Sequence, residues 1–363
     1  MTLQRPVMRS TSGANYIALD HVRAVAAFLV IAWHFMHGAN GYPLPFEGAP
    51  RIFPLALFDE GHTGVALFMC LSGYLFCKLL SGYKINYRLF MLNRALRLLP
   101  LLLLVISIVF FIKYIEGIDP YHYGWAMLKG IYLPTLPNGG WSITVEFHFY
   151  IFIPVFLWAI YSGRYLVSLF LIIPFLLRVF IWFYYGDIQK YSYFTIIGRF
   201  DQFFLGMLAY RYRALIVGRH AVMATLTVSF LVFYWYFDKL GGFYLFPNYP
   251  SNHFLWVIMP FCEGLFYATL IAWYDQSFSH SNGFFSKLVA RFGEYSYSFY
   301  LLHFFFVFHT AAWIDQNIIN LSNFYIALFF SFVFYIAMFP LGYLSYRFIE
   351  SPFLRFRRKY IIK

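Results

Sequence analysis

Apolar runs of about twenty residues repeat along the whole chain, each closed by polar, glycine or proline residues. They fall at roughly 17–37, 62–82, 95–115, 141–161, 165–185, 196–213, 219–237, 254–274, 295–314 and 324–349. That length suits a helix crossing the hydrocarbon core of a bilayer, whereas barrel strands need only about 9–11 alternating residues. The pattern therefore predicts an all-α membrane protein, a polytopic bundle of about ten transmembrane helices. No stretch reads as a soluble domain, so residues 1–363 are read as one membrane domain. A short segment, 1–16, precedes it and a basic tail, 350–363, closes it. An even number of spans puts both termini on one side.

Composition agrees. The chain is 61% hydrophobic and 12% charged, with mean hydropathy +0.64, against about 25% charged residues in soluble domains. The net charge of +12 would suit nucleic acid in a soluble protein, but here the basic residues gather on one side of the predicted membrane. Lys78, Lys84, Arg88, Arg94 and Arg97 lie around one loop, Arg211, Arg213 and Arg219 around another, and Arg355, Arg357, Arg358 and Lys359 in the tail. The opposite loops hold only Arg51, Lys113, Lys129, Lys190 and Lys239. The positive-inside rule makes the rich side cytoplasmic, with both termini there, and no nucleic-acid partner is expected. Residues 1–18, with Arg5 and Arg9, lack the apolar core and cleavage site of a signal peptide. Cys70, Cys77 and Cys262 lie in apolar segments and read as buried hydrophobes. The longest outside segments, about 38–61, 116–140 and 238–253, read as connections, with closure over a polar ligand as the alternative, and their aromatic residues read as an interfacial belt rather than as a platform for sugar rings.

The polar positions inside the spans carry the chemistry. Arg23 and His34 are eleven residues apart in the first span, about 16 Å of helical rise and only about 20° around the axis, so they share a face. An arginine at the centre of a lipid-exposed helix costs about 2.5–3.5 kcal/mol and is rarely kept without a partner or a role. Depth counting puts His34 and Glu146 at similar levels below the outer surface, so Glu146 is expected to orient the imidazole; a simple hydrogen bond between helices is the plainer alternative. Ser142, Glu146 and Tyr150 recur at i, i+4 and i+8 and face one way. Arg94 and Arg97 are neighbours on one face, with Pro100 expected to disturb the helix above them. Paired arginines at a membrane edge usually touch lipid headgroups, and they also fit a bound phosphate ligand.

Ser72 and Gly73 in mid-span suit close helix packing, and Tyr74 adds a hydroxyl. Ser296, Tyr300 and His303 line one face, with His303 about 12 Å in from the cytoplasmic side and short of His34. It reads as a channel-lining hydrogen-bonding residue. Arg199 and Asp201 are placed to pair with each other or to meet a polar acceptor, Glu263 needs a partner, and Arg178 and His309 read as packing or snorkelling residues. No Walker A, H-E-x-x-H, G-x-S-x-G or cysteine–histidine metal spacing occurs, so no metal is expected.

From about Tyr16 to Pro352 the chain resembles the acyltransferase-3 family of membrane acyltransferases. The resemblance rests on ordered pieces: Arg23 and His34; Gly64-Val65 leading to Leu71-Ser72-Gly73-Tyr74-Leu75; Arg94, Arg97 and Pro100; Trp141-Ser142 leading to Glu146 and Phe149-Tyr150; Arg199-Phe200 leading to Gly206; Tyr297 to His303; and Glu350-Ser351-Pro352. Ile143 and Cys70 stand where the family often has Leu and Phe, and neither change removes a polar group. The resemblance implies transfer of an acyl group, usually acetyl, from cytoplasmic acyl-CoA to a hydroxyl on a cell-surface glycan or lipid-linked precursor. His34 matches the family's catalytic histidine, Arg23 its paired arginine, and Arg94 and Arg97 the positions near the CoA phosphates. The chain resembles the kind of member that carries no fused hydrolase-like domain.

The resulting expectation is an O-acetyltransferase of the cytoplasmic membrane, with His34 and Glu146 catalytic and acetyl-CoA as donor. Arg23, Arg94, Arg97, Ser72, Tyr74 and His303 are expected to line the acyl-CoA site, and Ser142, Tyr150, Arg199 and Asp201 the acceptor side. Membrane lipids are partners, and a homodimer is compatible with the sequence. Direct transfer and an acyl-His34 intermediate both stay open, as does the acceptor. The rival class is a proton-coupled transporter or flippase, which would use the intramembrane charges Arg23, Glu146, Asp201 and Glu263 as a pathway.

Overall fold

A computed structural model describes residues 16–38, 50–281 and 283–362. Arg5 and Arg9, and much of the first outside segment, lie beyond the described residues. Eight helices among them are long and apolar enough to cross a membrane: Ile17–Met36, Gly61–Leu80, Tyr87–Ile115, Trp141–Ser162, Arg164–Tyr185, His220–Lys239, Leu255–Ser277 and Phe324–Leu354. The protein is an all-α, multi-pass membrane protein. Two of the ten predicted spans differ. The ninth is broken into Ser296–Phe305 and Val307–Asn317, bent by 58°. The sixth is a 16-residue helix, Ile196–Arg211, about 24 Å long and so shorter than the roughly 30 Å hydrocarbon core.

That short helix is buried along nearly its whole length, which explains how it carries Arg199, Asp201 and Gln202. It packs closely on the Gly64–Leu80 helix because two glycines let the backbones meet. A Cβ on Gly73 would lie 2.0 Å from the Phe203 carbonyl oxygen, and one on Gly206 would lie 2.1 Å from that of Cys70. The Tyr87–Ile115 and Arg164–Tyr185 helices, mostly exposed, form the periphery; their outer faces are apolar, and their few buried polar residues, Asn93, Arg94 and Arg178, face the bundle.

Pro100 does not break its helix, which runs unbroken from Tyr87 to Ile115. The segment 116–140, read in the sequence as an outside connection, holds the helix Pro120–Lys129, with Asp119 accepting from the Tyr121 and His122 amides and Pro120 at its first position. On the opposite side, Ile361–Ile362 pairs antiparallel with Lys84–Ile85.

The Phe284–Glu294 helix lies against the start of the first helix, where Gly293 meets the Asp20 backbone. Burial, with Asp20 adding to it, pushes the Glu294 carboxyl up to about 7 from 4.5. The folded protein therefore binds this proton more tightly than the unfolded chain. Its contribution is present below pH 4.5 and is lost as pH rises through about 7. Glu294→Gln is expected to flatten the fall of the melting temperature across that window, as measured by thermal unfolding at a series of pH values. An unchanged profile would refute the assignment.

Candidate active site

Five segments enclose one cavity of about 810 Å³, counting its open mouth. The first helix contributes Arg23. The second contributes Val65, Phe68, Ser72 and Phe76, spaced three or four apart and so on one face. The third contributes Arg94 and Arg97. From the Trp141–Ser162 helix come Ser142, Glu146 and Tyr150, and from the broken span Ser296, Tyr297 and Tyr300. Nine residues singled out in the sequence thus meet around one space: Arg23, Ser72, Arg94, Arg97, Ser142, Glu146, Tyr150, Ser296 and Tyr300.

The cations occupy one part of the wall. Arg23 pairs closely with Asp20. Arg94 is buried, its guanidinium over the Phe76 and Phe90 rings at 5.1 and 5.6 Å, with Nε lacking a hydrogen-bond partner. A buried, unsatisfied guanidinium nitrogen in a cavity wall is suited to an anionic ligand. Across from it, Glu146 accepts from Ser72 Oγ at 3.3 Å and, closely, from the Tyr150 hydroxyl. Ser142 Oγ donates to the Gly139 carbonyl at 3.1 Å. The Tyr297 hydroxyl, which the sequence reading takes in only as the start of the Tyr297–His303 piece and gives no role, donates to the Leu98 carbonyl at 2.6 Å. Its signal was its place beside Ser296, since a cavity-lining face can admit neighbours only about 100° apart.

Where the cavity ends, Tyr300 donates to the Gly139 carbonyl at 3.1 Å. One turn further along lies His303. Its Nδ1 is 2.9 Å from the Phe299 carbonyl and its Nε2 is 3.3 Å from His34 Nδ1. His34 Nδ1 is also 2.9 Å from the Val30 carbonyl. One protonation pattern satisfies all three contacts. Both Nδ1 atoms carry hydrogen and donate to carbonyls, and His34 Nδ1–H is shared with the lone pair of His303 Nε2. The lone pair of His34 is then on Nε2.

Several expectations are corrected. Glu146 does not orient His34; its hydrogen bonds go to Ser72 and Tyr150, and the imidazole is held by Val30 and His303. Equal depth fixes only one coordinate, and the Glu146 helix packs on the second helix and the short buried one. His303 does not fall short of His34. Helical side chains lean toward the N-terminus, so His34 reaches back to Val30, while the broken span starts level with Asp20. Tyr74 does not line the cavity. It stands about 200° around the helix from Ser72 and donates to Asp275 at 2.6 Å, which also takes Lys78 at 2.6 Å.

Arg199 and Asp201 are not partners and do not line the cavity. Asp201 takes Arg178 in a two-pronged pair at 2.9 and 2.6 Å, both fully buried, so Arg178 is not a snorkelling residue. Arg199 lies 3.5 Å from Glu263 and donates to the Tyr193 carbonyl and to Gln202. Glu263 also accepts from Thr63, Tyr234 and Gln202 at 2.6–2.9 Å.

The fold is thus a helical membrane bundle around an arginine-lined cavity that ends beside a histidine pair. A family model described as an acyltransferase domain matches residues 16–347. The chain belongs to this acyltransferase family, as its sequence resemblance implied. No curated protein and no solved structure matched.

Proposed function

We propose that this membrane acyltransferase moves an acetyl group from cytoplasmic acetyl-CoA to a hydroxyl of a cell-surface polysaccharide, lipo-oligosaccharide or lipid-linked glycan, and that it works in the cytoplasmic membrane. One observation carries the reading: a single cavity has three arginines in its wall and ends one helical turn from the His303–His34 pair. Arg94, Arg97 and Arg23 suit the donor's phosphates, for which planar guanidinium groups give two-pronged hydrogen bonds. The thiol-bearing arm then runs past Ser72 and Glu146 toward the histidines.

His34 Nε2 takes the proton of the acceptor hydroxyl. The oxygen attacks the thioester carbonyl, the C–S bond breaks, and the proton passes to the departing thiolate, giving the ester and CoA. His303 acts through His34, fixing its tautomer. The transporter reading loses two of its four charges, because Asp201 and Glu263 are engaged inside the bundle.

Arg97→Ala is expected to weaken acetyl-CoA binding about tenfold, the loss of one charge-assisted contact, as read by calorimetry on purified protein in detergent. Well-folded protein that binds no acetyl-CoA would overturn the donor assignment.

A further inference from the structure

At the end of the cavity a tight turn gathers more hydrogen-bond donors than its acceptor can hold. Pro137-Asn138-Gly139-Gly140 leads into the Trp141–Ser162 helix, with Asn138 and Gly139 both left-handed at φ 51° and 71°. Asparagine and glycine are the residues that take this conformation most readily. A Cβ on Gly139 would lie 3.0 Å from the Tyr300 hydroxyl and 3.1 Å from the Phe304 ring. Asn138 Nδ2 ties the turn to the broken span, donating to the Leu301 carbonyl at 3.2 Å. The Gly139 carbonyl then meets three donors, the Ser142 amide, the Ser142 hydroxyl and the Tyr300 hydroxyl, each at 3.1 Å.

A carbonyl oxygen has two lone pairs, and the Ser142 amide, fixed in the turn, occupies one. Two hydroxyls are left for the other, so one is surplus, and either can rotate about its C–O bond toward a different acceptor. Both line the cavity. Glu146, in the same wall, already takes Tyr150 and Ser72. The Phe68 ring lies 6.2 Å from that of Tyr300, and Ile143 stands beside Ser142. In such apolar surroundings a hydrogen bond to a charged oxygen is stronger than in water. The histidines are close by: the Tyr300 and His303 rings are 6.2 Å apart, and Phe304, against the turn, lies 4.5 Å from His34. Donors without an acceptor suit a ligand that brings a carbonyl oxygen.

We propose that the Tyr300 and Ser142 hydroxyls form an oxyanion hole for the carbonyl oxygen of the donor's thioester. This rests on the acyl-CoA reading above. When the acceptor oxygen bonds to the thioester carbon, the C=O π pair moves onto the carbonyl oxygen. The two hydroxyls donate to it without giving up their protons. The pair returns to re-form C=O as the C–S bond breaks and the thiolate leaves. Hydrogen bonds to the oxyanion are stronger than those to the neutral carbonyl, so the two side chains act on rate more than on donor affinity. Ser142, expected on the acceptor side, serves the donor instead.

The test uses the full chain in detergent and acetyl-CoA labelled with ¹³C at the acetyl carbonyl. The wild type, Tyr300→Phe and Ser142→Ala are compared by calorimetry for donor affinity and by infrared difference spectroscopy for the bound ¹³C=O band. Both variants should keep acetyl-CoA affinity within about twofold, which also shows that they are folded, and both should move the band to higher wavenumber, because a hydrogen bond to the carbonyl weakens C=O. CoA release to octyl glucoside, a simple glycolipid acceptor, should fall about 10²–10³-fold in each. Should one variant lose affinity, the other carries the test. A band that stays in place overturns the proposal whatever happens to the rate. Loss of affinity in both variants overturns it as well, since the hydroxyls would then be part of the scaffold. A wild type that binds no acetyl-CoA would instead remove the acyl-CoA reading itself.

Discussion

His34→Ala is expected to leave a folded protein that binds acetyl-CoA with near wild-type affinity and turns it over about 10²–10⁴-fold more slowly, the usual contribution of a positioned general base. The separation follows from geometry. The arginines line the cavity wall, whereas His34 stands beyond its end and meets it through His303 and Tyr300. CoA release in the presence of a glycan acceptor supplies the rate, and calorimetry supplies the affinity. His303→Gln, which keeps a hydrogen-bonding group near His34 Nδ1, should retain more activity than His303→Ala. Both should alter the pH–rate profile, because a change in what holds the His34 tautomer changes its basicity. Acid-quenched protein carrying acetyl on His34 would select the covalent route over direct transfer. Equal turnover in His34→Ala and the wild type would remove His34 from the chemistry.

Periodicity made most of this site legible. Ser142, Glu146 and Tyr150 line the cavity together, as their four-residue spacing requires, and the Arg94–Arg97 pair does so for the same reason. What periodicity cannot supply is rotation about each helix axis relative to its neighbours. Depth counting alone therefore pairs Glu146 with His34, whereas the structure gives it Ser72 and Tyr150. The broken span defeated depth counting in another way, since its residues were referred to the membrane surface while its real reference is the contact of Gly293 with Asp20. Charge pairing inside the membrane was legible only in part. Arg178 needed a carboxylate and Asp201 a cation, but Asp201 had a nearer candidate in Arg199, two residues away. Those two residues point about 200° apart on a helix, which rules the nearer pair out and leaves the distant one.

That distant pair sets the second large effect. Arg178 and Asp201 are fully buried, joined by two hydrogen bonds. Arg178 also donates to the Val257 and Ile197 carbonyls at 2.9 and 3.1 Å. The pair ties the peripheral Arg164–Tyr185 helix to the short inner one, and the Val257 bond adds a third helix. Removing one partner leaves a charge with neither water nor a counter-ion, at a cost of about 3–5 kcal/mol. Asp201→Leu and Arg178→Leu should each lower the melting temperature sharply in detergent, followed through tryptophan fluorescence. The double substitution should cost far less than the two singles added, because the pair's own desolvation is then removed as well. Neither residue lines the cavity, so the double variant should retain acetyl-CoA affinity. Additive losses would mean that the two side chains act independently. A double variant that folds but fails to bind donor would instead place the pair in the substrate machinery rather than the scaffold.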